Sequence, residues 1–149
     1  MKNKSSSQDR QAAHWLVADD NAGFLEFVAT TLESFAGAEV ARFSSAIGAL
    51  PVLTASPEQF EFIVTDLEMP GMDGIEFCRR ARALSPNVKV LLVTGQPIIT
   101  HSEARELGFC GLLHKPFSAA ALGRIVAELE TSSRPTNDFS QNSAAALAA

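Results

Sequence analysis

Five polar residues of this sequence are of the right types to act together: Asp19 and Asp20, Asp66, Thr94 and Lys115. Each stands at or just beyond the end of a short apolar run. Three carboxylates gathered in one crevice repel one another strongly at neutral pH. A native site of that kind usually holds a divalent cation. All-oxygen ligands suit Mg²⁺, which keeps some of its waters and also takes phosphate oxygens. A carboxylate beside such a cation can act as a nucleophile towards phosphorus. In that chemistry Lys115 neutralises the incoming phosphoryl group and Thr94 donates a hydroxyl hydrogen bond to it. Backbone N–H groups after Asp66 supply the remaining contacts. Each residue alone also has a plainer role. Asp19 or Asp20 could cap a helix, Asp66 could open the turn containing Pro70 and Gly71, Thr94 could cap, and Lys115 could be a surface lysine.

What joins the five is the elements that precede them. The apolar runs cover residues 14–18, 38–42, 60–65, 88–93 and 110–113. Those containing FIVT and VKVLLVT are nearly all apolar and rich in β-branched residues, the pattern of parallel strands buried on both faces. Between them lie helical patterns over 22–35, 44–54, 73–84, a stretch from about Ile98, and 119–130, the last with Ser118 as its N-cap. The second helix contains Gly48 and Pro51 and is expected to be short or broken. Alternating strands and helices predict an α/β open sheet with right-handed crossovers. Ligands of such sheets bind at the carboxyl ends of the strands, where all five polar residues fall.

The bulk properties agree with one domain. The chain has 149 residues, of which 46% are hydrophobic, and a net charge of −5. That charge disfavours nonspecific binding to nucleic acid or a membrane surface. No apolar run approaches the roughly 18 residues of a membrane span. Residues 1–13 are polar and read as a flexible tail without a secretory signal. Residues 131–149, with Pro135 and many Ser and Asn, read as a second tail. Cys78 and Cys110 form no spaced cluster and are expected as buried thiols of a reducing cytosol. His14, His101 and His114 have no metal-ligand spacing and are expected as surface or core histidines.

DLEMPGMDG at 66–74, ADD at 18–20, Thr94–Gly95 and Lys115–Pro116–Phe117 occur in the order that resembles response-regulator receiver domains of two-component signalling, those of the stand-alone chemotaxis regulators in particular. The resemblance covers about residues 14–130. It implies a flavodoxin-like (βα)5 fold, a doubly wound parallel sheet of order 2-1-3-4-5. It makes Asp66 the phospho-acceptor and gives Mg²⁺ to Asp19, Asp20, Asp66 and the backbone carbonyl of Glu68. Thr94 would move towards the phosphoryl group, Lys115 would contact it, and the Lys115–Pro116 bond would be cis. The donor would be a histidine kinase or a histidine phosphotransfer protein, and the reader a downstream target protein bound through the face over residues 98–130. The implied protein is a cytoplasmic switch, a monomer or weak dimer, with no direct nucleic-acid or membrane partner. It catalyses only its own phosphorylation and slow dephosphorylation.

Two departures stand out. Leu112 occupies a switch position where the family usually carries Phe or Tyr, so the aromatic arm of the switch is absent or replaced. Glu68 puts a carboxylate where a small or uncharged residue is also common. Two other readings use the same residues: an aspartate-nucleophile phosphatase of the haloacid-dehalogenase type, and a binding module of this fold that ignores phosphorylation.

Overall fold

The computed structural model describes residues 14–131. The tails expected at 1–13 and, but for Thr131, at 131–149 lie outside the described residues. In chain order the elements are β1 (His14–Ala18), α1 (Ala22–Ala36), β2 (Glu39–Phe43), α2 (Ala46–Ala55), β3 (Phe62–Asp66), α3 (Gly74–Leu84), β4 (Lys89–Thr94), α4 (His101–Glu106), β5 (Gly111–His114) and α5 (Ala119–Thr131). The strands form one parallel sheet of order β2-β1-β3-β4-β5, as expected.

Strand side chains alternate between faces, and here both faces are apolar. Leu16, Ile63, Val90, Leu92 and Leu112 pack beneath α2, α3 and α4. Trp15, Val17, Phe62, Val64, Leu91 and Val93 pack beneath α1 and α5, where Trp15 stacks on Phe62 at 4.3 Å between ring centroids. All five residues of β3 are buried, so the central strand carries its terminal carboxylate out of the core at a fixed place.

Four of the strands are displaced towards the C-terminus of the runs read from the sequence. Phe60 is buried but precedes the hydrogen-bonded ladder, so apolarity alone starts β3 too early. As a result Asp66 and Thr94 are the last residues of β3 and β4 rather than the first residues beyond them. Helix α2 is not broken. Ser45 caps it by accepting from Gly48 N at 2.9 Å, and Ala46, Ala49 and Leu53 are buried. That burial outweighs the backbone bond that Pro51 removes. Ser118 accepts from Ala121 N at 3.1 Å, the cap expected for α5, and that helix runs to Thr131, one residue further than the expected 119–130. The fourth helix is short, His101–Glu106, and starts at a capping box between Thr100 and Glu103. Burial pushes the Cys78 and Cys110 thiols up to about 11, and neither is in a disulfide.

At the top of β3 the chain folds back on itself. Gly74 N donates to Leu67 O at 2.7 Å, and a Cβ on Gly74 would stand 2.2 Å from the Asp66 carbonyl oxygen. Only glycine permits that approach. Gly74→Ala is therefore expected to destabilise the fold by about 1–3 kcal/mol. Gly95→Ala, whose Cβ would meet nothing within 4 Å, should cost less than about 0.5 kcal/mol. Urea denaturation of the two variants checks the contrast.

Candidate functional site

The first carboxylates follow β1. Neither caps α1. Asn21 does, its Oδ1 accepting from Phe24 N at 2.8 Å. Asp19 and Asp20 are thereby left for other work. Asp19 is 1% exposed, and its Oδ1 accepts from Asn21 N at 2.9 Å. Its Oδ2 is buried and accepts no hydrogen bond of good geometry among the described residues; the Lys115 ammonium faces it at 3.0 Å. Asp20 is exposed at the rim.

Asp66, at the end of β3, is buried too. Its Oδ1 accepts from Leu67 N at 2.9 Å and stands 3.4 Å from Lys115 Nζ. Carboxylate oxygens of Asp19, Asp20 and Asp66 all lie within 4.8 Å of one another. The loop beyond β3 turns at Gly71 (φ 86°), where a Cβ would strike Ile47, and Asp73 caps α3 by accepting from Glu76 N at 2.9 Å. Lys115 leaves β5 with its N–H donating to Thr94 O at 2.8 Å. Its Nζ also lies 4.5 Å from the centre of the Phe24 ring, and the Lys115–Pro116 bond is cis.

Thr94 is 1% exposed, and its Oγ1 accepts from Gln96 N at 2.9 Å. Gln96 Nε2 reaches across the opening to donate to Glu68 Oε2 at 2.6 Å. Asp20, Asp66, Glu68, Thr94, Gln96 and Lys115 are among the residues lining an open cleft of about 750 Å³. Leu112 is not at this cleft. It is 1% exposed and packed in the core beside Leu92, its register partner.

Asn21, Phe24 and Gln96 escaped sequence reasoning. The spacing of Asn21 to Phe24 is an ordinary cap signature that Asp19 and Asp20 masked. Gln96 had no signal, since its partner is 28 positions away.

The Asp66 carboxyl is held above its ordinary range, first by burial and then by the charge of Asp19. The Lys115 ammonium and the Leu67 N–H oppose this. The donor set fits a hard divalent cation: the acidic side chains offer only oxygen, and the buried Asp19 Oδ2 is faced by the Lys115 ammonium but accepts no well-aligned hydrogen bond among the described residues. A carboxyl with a raised folded-state pKa favours the fold most while protonated. Its contribution is lost as pH rises from the ordinary carboxylate range through the folded value. At neutral pH without divalent cations, Asp66→Asn should therefore raise Tm by a few degrees. The gain should shrink both on acidification below the folded pKa of Asp66 and on adding Mg²⁺. Thermal melts in a chelator and in Mg²⁺ check this.

The family model of the response regulator receiver domain matches residues 15–127. The chain is 37% identical to response regulator protein FleR of Pseudomonas aeruginosa, over 78% of this chain and 24% of that one. It is 34% identical to chemotaxis protein CheY of the same organism, over 72% of this chain and 87% of that one. It spans between 24% and 64% of the length of the first curated relatives that it matches. Among solved structures, a CheY-like response regulator receiver domain protein from Methanospirillum hungatei superposes with a TM-score of 0.74. The two are 26% identical, over 83% of this chain and 97% of that one.

Proposed function

This chain belongs to the response regulator receiver domain family of two-component systems, and from that premise we propose that Asp66 accepts a phosphoryl group from a phosphohistidine. The observation that carries the proposal is the position of Lys115. Its ammonium stands against both Asp19 and Asp66, where it can neutralise a phosphoryl group arriving on Asp66. In the transfer the P–N bond of the donor breaks, a bond from phosphorus to an Asp66 carboxylate oxygen forms, and the imidazole leaves.

Asp19, Asp20, Asp66 and the backbone carbonyl of Glu68 would hold Mg²⁺, which when bound supplies positive charge beside the phosphoryl oxygens. Asp66 presents the nucleophile from the end of a rigid strand. Thr94, whose hydroxyl accepts from Gln96 N–H, turns to donate to a phosphoryl oxygen. The phosphoryl group adds about −1.5 to −2 charge and so biases a loop with two arrangements. Residues 95–98 are that loop. Its rearrangement separates Gln96 from Glu68 and is read at α4, β5 and α5, over residues 98–130. Ile98 is 78% exposed there and Leu107 41%, apolar surface for a target protein.

The unit over residues 14–130 is on this reading a switch. It takes its phosphoryl group from a histidine kinase or histidine phosphotransfer protein and works in the cytoplasm as a monomer or weak dimer. It binds no nucleic acid itself and loses the phosphoryl group by slow self-hydrolysis.

Incubation with radiolabelled acetyl phosphate and Mg²⁺ tests the proposal. One label per chain is expected, none in chelator, and none in Asp66→Asn. Labelled Asp66→Asn would overturn the acceptor assignment. Sustained turnover of a phosphate ester would mean a phosphatase instead.

A further inference from the structure

Leu112 is buried, carries no polar atom and is fixed in the core, so it is poorly placed to sense a change at Thr94. The residue level with Thr94 on the neighbouring strand is His114, its register partner on β5. Paired residues of parallel strands leave the sheet on the same face. Here that face is covered by α4. The His114 ring meets the His101 ring edge-on, at 6.4 Å between centroids and 80° between planes. His101 is the first residue of α4, next to its N-cap Thr100, and it is exposed.

The His114 ring is also unpinned. Its Nε2 is buried and has no hydrogen-bond partner among the described residues. A ring without a directional bond is positioned by packing alone, and packing changes when a neighbour moves. The backbone next to it is tied to Thr94 directly, through Lys115 N to Thr94 O at 2.8 Å. Strand pairing thus links Thr94 to His114, and a ring contact links His114 to His101 at the N-terminus of α4.

We infer that His114 is the positioning residue that carries a displacement of Thr94 to α4, through its ring contact with His101. The inference rests on the reading of Asp66 and Thr94 given above. It assigns the role to a histidine at the end of β5, level with Thr94. Coupling of this kind needs a physical contact between the elements that move, and the ring pair supplies one between β5 and α4. His114 itself touches neither the phosphoryl group nor the reacting oxygens.

Hydrogen exchange of α4 amides, with and without beryllofluoride and Mg²⁺, reads the coupling in the intact chain. The wild-type protein should show a clear change in α4 protection on loading. His114→Ala should bind beryllofluoride with wild-type affinity yet lose the α4 response by about five-fold. His114→Phe, which keeps a ring, should restore it. His101→Ala, at an exposed position that leaves the fold intact, should weaken the response without altering beryllofluoride affinity. A full α4 response in both alanine variants would overturn the role of His114, as would a His114→Phe protein that fails as completely as His114→Ala. A wild-type protein that takes up no beryllofluoride would instead remove the Asp66 reading, and this inference with it.

Discussion

The mutual repulsion of Asp19, Asp20 and Asp66 is the constraint around which the rest of the structure is arranged. Their oxygens meet within 4.8 Å, with the Lys115 ammonium 3.0 Å from Asp19 and 3.4 Å from Asp66. Charges so close, two of them buried, would be relieved by a small movement of any one chain segment. The fold prevents that movement. Asp19 and Asp66 continue strands buried on both faces, Lys115 is tied to the end of β4, and Gly74 lets α3 begin directly against the Asp66 carbonyl. Asn21 takes over the capping of α1, so neither acidic neighbour is drawn into that bond. Stability forgone at the cleft is supplied by the two apolar layers on either side of the sheet, a common arrangement at functional sites.

The same frame is loose on one side only. Residues beyond β4 reach the cleft through single hydrogen bonds, Gln96 N to Thr94 and Gln96 Nε2 to Glu68. The carboxylate side is held by burial and by strand ends. A charge added at Asp66 therefore meets a rigid wall at Asp19 and a yielding one at the loop that begins after Thr94. This asymmetry gives the proposed switch its direction, towards α4 and β5 and away from α1. The residue level with Thr94 on β5 is His114, whose ring meets His101 of α4.

The open α/β sheet and the gathering of Asp19, Asp20, Asp66, Thr94 and Lys115 at one edge were legible in the chain, because buried parallel strands write themselves as continuous apolar runs; the order of the strands came only with the family resemblance. Strand limits were less so. Phe60 is as apolar as the strand that follows, and nothing in its chemistry says that the ladder has not begun. Pro51 suggested a broken α2, because a local penalty is visible in sequence and the burial of Leu53 that offsets it is not. Asn21 left a cap signature that its acidic neighbours masked. Gln96 and His114 meet partners set by a loop and by strand register, Glu68 and Thr94, and neither composition nor spacing carries a trace of those pairings. Leu112 stood out in the chain as a departure, yet its place in the core shows only once β5 is laid against β4.

The central claim is that the carboxylate at residue 66 becomes an acyl phosphate. Reductive trapping measures this most directly. The protein is treated with a phosphodonor and Mg²⁺, quenched with borohydride and mapped by peptide mass. Conversion of residue 66 to homoserine, and of no other carboxylate, is the predicted result. Homoserine at residue 19 or 20, or none anywhere while phosphate remains bound to the chain, would contradict it.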